Sequence, residues 1–129
     1  MHFNILTIFP EMFPGTLSGG VVGRALDKNI WSYDAINIRD FAINRYGSVD
    51  DEQFGGGAGM VMRPDVLGNA LDSVKNRGKI IYFSPRGPTL NQQMVREFAA
   101  TPDTTYTLLC GRYEGIDERI IEEYDIMEL

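Results

Sequence analysis

The sequence predicts an α/β protein with a mostly parallel sheet and flanking helices. Short apolar runs that suit buried strands alternate with amphipathic stretches that suit helices. A proline or a glycine follows several of the apolar runs, as expected where a strand ends. At 129 residues the chain is long enough for one domain with a substantial core, and neither a linker nor an internal repeat divides it.

The first half of the chain holds two predicted strands and two predicted helices. Residues 3–9 suit a buried strand that Pro10 stops, and residues 33–38 suit the second strand. A capped helix is predicted at 18–28. The next helix begins at Pro64, a residue suited to a first helical turn, and extends to near Gly78. Its apolar stripe consists of Val66, Leu67, Ala70, Leu71 and Val74.

The second half alternates in the same way. Residues 79–84 and 104–110 are the third and fourth predicted strands. Between them, Thr89 and Gln92 have the spacing of a capping box that leads a helix. A short helix is predicted at 116–124, and 125–129 suits the start of a fifth strand. A chain that stops there leaves apolar side chains without cover, so the sequence looks like part of a longer protein.

Composition and charge narrow the functional classes. Residues 114–129 carry seven acids and one base, so the net charge of −6 belongs to this segment and residues 1–113 are neutral. A neutral body with scattered arginines is compatible with binding a phosphate backbone. The apolar runs are too short to span a bilayer, and the N-terminus lacks the features of a signal peptide. A single cysteine, Cys110, favours a cytoplasmic protein without disulfides.

Two strand ends carry more prolines, glycines and polar side chains than a simple connection needs. They are YFSPRGP at 82–88, where prolines and a glycine force a bend, and CGRYEG at 110–115. Ligands of open parallel sheets bind beyond the carboxyl ends of the strands. Gly111 and Gly115 would let the backbone approach a ligand closely, so the two bends could hold a planar ring and a ribose. Ordinary strand-to-helix turns remain the alternative, because glycine is common at strand ends.

The connection at 39–63 is longer than α/β loops usually are, which is typical of a functional or mobile segment. It contains FGGGAGM at 54–60, whose glycines have GxGxG spacing. The preceding SVDDEQF is acidic and is not predicted as a strand, and no Gly-Lys-Ser/Thr follows, so the phosphate-loop and dinucleotide fingerprints are not met. A hinge or a close backbone approach to a substrate is the interpretation that fits this composition.

Few single residues are candidates for chemistry. Glu114 lies before the last predicted helix, where its carboxylate could accept hydrogen bonds from the edge of a base. Cys110 has no nearby histidine in sequence to activate it and is interpreted as a core residue. His2, the only histidine, is too close to the terminus for acid–base chemistry. No cluster has metal-ligand spacing, although scattered acids could loosely hold Mg²⁺.

Several motifs together resemble one enzyme family. They are IFPEMF (8–13), RDF (39–41), VDD (49–51), FGGGAGM (54–60), YFSPRG (82–87) and LLCGRYEGIDERI (108–120). In this order they resemble the bacterial tRNA (guanine-N1)-methyltransferases of the TrmD type. The resemblance implies a SPOUT-class α/β fold with a trefoil knot, a rare exception to the rule that chains avoid threading loops.

The resemblance implies a reaction and a set of site residues. The reaction is transfer of a methyl group from S-adenosylmethionine to N1 of guanosine-37 of tRNA, next to the anticodon. Glu114 would lie where the cofactor and the target guanine meet, and Asp50, Gly56 and Gly57 would contact the substrate. Family members are homodimers with the site at the subunit interface. The implied cofactor-binding residues are Tyr82, Phe83, Ser84, Pro85, Gly111, Tyr113 and Gly115.

The resemblance also implies that family members continue past the position of Leu129. A Ser-Ile-Gly-Asp-Tyr-type segment and a Gly-Gly-Glu turn follow there, complete the knot and add cofactor contacts. The family's general-base aspartate, its partner arginine and a helical tRNA-binding domain come later still. Residues 1–129 are therefore expected to be part of the N-terminal methyltransferase domain, with an incomplete knot, half of the cofactor pocket and no activity alone. Glu114 is expected to position guanine while the aspartate takes its N1 proton.

Two other interpretations remain open at this point. One is a non-catalytic fragment that binds the cofactor or dimerises, which calorimetry with S-adenosylmethionine would test. The other is a Rossmann-type methyltransferase. That class is disfavoured because IFPEMF, and not a glycine-rich turn, follows the first predicted strand.

Overall fold

The structure, a computed structural model, describes residues 1–43, 48–52 and 59–129. Its strands are β1 (His2–Thr7), β2 (Ser32–Asn37), β3 (Asp50–Glu52), β4 (Met60–Met62), β5 (Lys79–Tyr82), β6 (Thr105–Leu109) and β7 (Met127–Glu128). Five of them form one sheet in the order β2-β1-β6-β5-β7, and every neighbouring pair in it is parallel. The predicted class, α/β with a mostly parallel sheet, is confirmed.

The helices are α1 (Gly20–Asp27), α2 (Pro64–Ser73), α3 (Gln92–Ala99) and α4 (Glu118–Glu123), with short 3₁₀ turns at Pro10–Met12, Gly15–Ser18 and Ile38–Phe41. All four predicted helices therefore form, with shifted ends. Within the described ranges, no helix has the length and apolar character needed to cross a membrane.

Local capping explains the shifted helix ends. The predicted capping box at Thr89 and Gln92 is wrong, because Asn91 caps α3 and its Oδ1 accepts a hydrogen bond from the Met94 N–H at 3.0 Å. The last helix begins at Glu118 and not at residue 116, because Asp117 is its N-cap. Helix α2 ends at Ser73, well before Gly78, since Val74 already has an extended backbone.

The connection at 39–63 contains a β-hairpin that the sequence did not predict. Strand β3 pairs antiparallel with β4, so the acidic Asp50–Glu52 segment is a strand, contrary to expectation. Residue Met62 of β4 also forms a parallel bridge with Ile116. These acids become a strand because β4 offers them a pairing edge, a tertiary effect that strand propensity does not contain.

The core lies between α2 and one face of the sheet. The predicted stripe of α2 is buried, and Val66, Leu67, Ala70 and Leu71 have no exposed surface. Leu6 of β1 and Leu109 of β6 are equally inaccessible and belong to the same cluster. Burial of each of these valine and leucine side chains contributes about 1.5–3 kcal/mol, so this contact holds α2 on the sheet.

We predict that the Tyr124 hydroxyl stabilises the contact between α4 and α2. It donates to Asp72 Oδ1 at 2.9 Å, and the Gly68 carbonyl oxygen lies 3.3 Å away. Tyr124→Phe should lower the free energy of unfolding by about 1 kcal/mol at neutral pH in urea titrations. Tyr33→Phe is the control, because within the described residues the Tyr33 hydroxyl has no hydrogen-bond partner. An equal loss in both variants would contradict this role.

The Tyr124 hydroxyl also determines the direction in which stability changes at alkaline pH. Burial and the neighbouring Asp72 raise the pKa of Tyr124 from 10.0 to about 12. The folded protein therefore holds this proton more tightly than the unfolded chain. The stabilisation is complete below pH 10 and is lost as the pH rises through about 12. Tyr124→Phe should lack this part of the alkaline loss.

Candidate functional site

The two decorated bends leave adjacent strands at the same edge of the sheet. Strands β5 and β6 are parallel neighbours, with Tyr82 opposite Leu109. The loops at 82–88 and 110–115 therefore start side by side. The Cys110 N–H donates to the Leu6 carbonyl at 2.9 Å, and the Arg112 guanidinium lies 5.3 Å from the ring centroid of Phe9. These contacts attach the second loop to the end of β1.

Strand β4 forms a third side of the site. The Glu114 N–H donates to the Met60 carbonyl at 2.9 Å, and the Met62 N–H donates to the Gly115 carbonyl at 3.1 Å. Gly59, just before β4, has a φ of +89° and lies against the Glu114 side chain, whose Cγ an added Cβ would meet. Segments about 50 residues apart in sequence are thus joined by backbone hydrogen bonds.

These segments enclose a cleft of about 300 Å³. Its volume is at the lower end of the range of small-molecule sites. One wall is the loop after β5, a second is the loop before α4, and Val61 of β4 contributes to the floor. The lining residues are Val61, Tyr82, Ser84, Pro85, Arg86, Glu114, Gly115, Ile116 and Glu118. Five of the predicted site residues are brought together here: Tyr82, Ser84, Pro85, Glu114 and Gly115.

The other predicted site residues that the structure describes do not line the cleft, and they lie at different distances from it. Gly111 lies against the Tyr82 ring, since an added Cβ would come within 2.5 Å of Cε2. Tyr113 has a φ of +62°, and its side chain is 43% exposed. Phe83 is 53% exposed and lines a separate apolar groove under α3. Asp50 lies in β3, separated from residues 114–116 by β4.

Two of the predicted substrate residues, Gly56 and Gly57, lie outside the described residues.

Residues that sequence reasoning did not select as site residues also line the cleft. They include Arg86, which lies inside the quoted YFSPRG motif, and Glu118, which lies in the predicted helix at 116–124. Arg86 Nη2 lies 2.9 Å from Glu118 Oε2 and 2.8 Å from Glu128 Oε1. The signal that could have identified them was their closeness in sequence to Ser84 and Glu114. Burial raises the pKa of Tyr82, so the phenol at the cleft is neutral at physiological pH.

Cys110 and His2 do not contribute to the cleft. Burial raises the pKa of the Cys110 thiol, as expected for a packed residue and not for a nucleophile. His2 begins β1 at the opposite edge of the sheet, where its Nδ1 lies 2.7 Å from Ser32 Oγ and its Nε2 lies 3.2 Å from Asp34. In the part of the chain that the structure describes, no three His, Cys, Asp or Glu side chains are grouped to hold a metal.

Comparison with known proteins gives one family. The family model described as tRNA (Guanine-1)-methyltransferase TrmD matches residues 1–129. A tRNA (guanine-N(1)-)-methyltransferase of Rickettsia akari (strain Hartford) is 54% identical over 132 residues, which cover 100% of this chain and 56% of that protein. The protein of that name from Rickettsia prowazekii (strain Madrid E) is 52% identical with the same coverage.

Solved structures agree with the sequence relatives. The crystal structure of tRNA (m1G37) methyltransferase from Aquifex aeolicus has a TM-score of 0.85 and 35% sequence identity, and covers 99% of this chain and 58% of that chain. This similarity confirms the SPOUT-type fold class that the motifs implied. The chain spans just over half the length of these relatives. Since the family model matches every residue, the chain belongs to the tRNA (guanine-1)-methyltransferase TrmD family.

Proposed function

We propose that residues 1–129 form the methyl-donor-binding part of a tRNA methyltransferase domain. The proposed reaction transfers a methyl group from S-adenosylmethionine to N1 of guanosine-37 of tRNA. The observation that carries the proposal is the convergence of two strand-end loops and β4 on one cleft at the carboxyl edge of a parallel sheet. The relatives support it, because their names specify methylation of tRNA at guanine N1.

The cleft residues suit a nucleoside. An added Cβ at Gly115 would make only an ordinary contact with the Tyr82 hydroxyl, at 3.7 Å, so the backbone is not crowded at this position. Val61 and Ile116 offer apolar surface for a planar ring, and Ser84 and Glu114 offer oxygens to hydroxyl groups. These residues would hold the adenosyl part of S-adenosylmethionine, which supplies an electrophilic methyl group on a sulfonium.

The remaining chemistry concerns one proton. N1 of guanine is protonated at neutral pH, so a carboxylate must accept that proton as the nitrogen becomes a nucleophile. We assign Glu114 to positioning, because its exposed carboxylate at the cleft can accept hydrogen bonds from the guanine edge. The family resemblance assigns proton removal to an aspartate in the part of the family's length that residues 1–129 do not span.

The proposal includes partners and a location. We propose tRNA as the substrate and a second copy of the protein as the partner, following the family resemblance. A protein that modifies tRNA is proposed to act in the cytoplasm, in agreement with its single cysteine. Mg²⁺ stays a prediction from the scattered acids and gains no support from the described residues, which contain no group of acids placed to hold it.

The proposal is tested with the complete gene product, S-adenosylmethionine and two tRNA transcripts. One transcript carries guanosine at position 37 and the other carries adenosine there. Nucleoside mass spectrometry should find N1-methylguanosine only with the first transcript. The absence of methylated guanosine, or equal methylation of both transcripts, would overturn the proposed reaction. Calorimetry of S-adenosylmethionine with residues 1–129 then shows whether these loops bind the methyl donor without further residues.

A further inference from the structure

Arg86 joins three parts of the structure through one nitrogen. Its Nη2 lies 2.9 Å from Glu118 Oε2 and 2.8 Å from Glu128 Oε1. Arg86 belongs to the loop after β5, Glu118 is the first residue of α4, and Glu128 lies in β7. All three segments are at the carboxyl edge of the sheet, so the arginine connects elements that are distant in sequence.

The pair of Arg86 and Glu118 spans the cleft. Both residues line it, Arg86 from the loop at 82–88 and Glu118 from the segment that follows the loop at 110–115. Among the described residues, no backbone hydrogen bond joins residues 84–88 to residues 114–118. Backbone hydrogen bonds join the first loop to Leu129, which follows β7, and join the second loop to β4. The separation of the two walls therefore depends on side chains.

This contact joins one positive charge to two negative charges. Two carboxylates approach the same nitrogen, so removal of the arginine would leave two negative charges close together, one on α4 and one on β7. Arg86 and Glu118 are more than half exposed. Exposed ion pairs contribute little to global stability, so the effect should be confined to the position of the two walls.

We propose that Arg86 is a positioning residue that holds the cleft at the width required by the methyl donor. This inference rests on the proposed function of the cleft. Arg86 acts through Glu118 and Glu128, and its positive charge is already matched by two acids, so it is not assigned to contact the donor or the RNA phosphates. High salt should weaken the contact, because exposed charges are screened.

The test is calorimetric binding of S-adenosylmethionine to the complete gene product. Arg86→Gln should weaken binding by about five- to tenfold at low salt, since two ion pairs are lost, one of them to the less exposed Glu128, and two acids repel. The melting temperature should stay close to that of the parent. In steady state, KM for S-adenosylmethionine should rise while kcat stays nearly constant. Arg96→Gln on α3 is the matched control, because Arg96 is an exposed arginine that does not line the cleft.

A second variant separates repulsion from simple loss of the pair. Arg86→Gln combined with Glu118→Gln should bind more tightly than Arg86→Gln alone, because one of the two facing charges is removed. Unchanged binding in Arg86→Gln, or no recovery in the double variant, would overturn the positioning role. If the unmodified protein does not bind S-adenosylmethionine, the proposed function of the cleft fails, and this inference fails with it.

Discussion

Glu114→Gln should lower the single-turnover rate of N1-methylguanosine formation by on the order of 100-fold, the size of effect expected from a misplaced reactant. In the proposed complex the carboxylate would accept hydrogen bonds from the guanine edge, whereas the amide would present a donor to part of that edge. The loop itself should not move. Its backbone hydrogen bonds, from the Glu114 N–H to Met60 and from the Met62 N–H to Gly115, do not involve the side chain that is changed.

Glu122→Gln is the control for Glu114→Gln. Glu122 is an exposed acid of α4, eight positions along the chain, and it does not line the cleft. Both variants change the net charge equally, so a general electrostatic effect on RNA binding would appear in both. Rapid-quench measurements with saturating tRNA and methyl donor isolate the chemical step. A rate for Glu114→Gln equal to that of the unmodified protein would remove Glu114 from the mechanism.

Gly87→Ala should destabilise the protein by about 1–3 kcal/mol, the usual range for an overpacked site. An added Cβ at Gly87 would lie 2.5 Å from the Leu129 nitrogen, 2.6 Å from its carbonyl carbon and 2.7 Å from the Glu128 carbonyl carbon. All of these are backbone atoms, which cannot rotate away. The chain at 128–129 must therefore move from the loop at 84–88, and the bonds between Leu129 and both Tyr82 and Ser84 are weakened.

Urea unfolding followed by the fluorescence of Trp31, the only tryptophan, measures this loss. Gly19→Ala is the matched control, because its added Cβ meets no atom closer than 3.8 Å and its φ is −103°. Gly19→Ala should lower the free energy of unfolding by no more than about 1 kcal/mol, because its only expected cost is poorer capping of α1. Equal unfolding midpoints for Gly87→Ala and the unmodified protein would show that the contact at 128–129 yields easily.

The parts of the fold that the sequence predicted are those governed by local pattern. The apolar stripe on α2 and the strands at the centre of the sheet have the periodicity and composition of their elements, and the structure agrees with both. Adjacent bends at 82–88 and 110–115 were predicted because parallel strands place their carboxyl ends together. These inferences needed no knowledge of distant contacts.

The parts that the sequence did not predict depend on distant partners. Acidic residues Asp50–Glu52 form a strand only because β4 pairs with them, and β4 in turn bonds to the loop at 114–116. The role of Arg86 depends on Glu118 and Glu128, which follow it by 32 and 42 positions. Sequence spacing contains no signal for such long-range contacts, so a pattern-based prediction of the site omits them.

The strand order has a consequence for how the protein is made. Strand β6 lies between β1 and β5, and its pairing with β1 joins residues about 100 positions apart, as in Phe3 with Tyr106. During synthesis β1 and β5 therefore keep unpaired edges until β6 leaves the ribosome. Folding should be slow for a domain of this size, because long loops close before their contacts form. The nascent chain is expected to need protection from aggregation until β6 is inserted at the centre of the sheet.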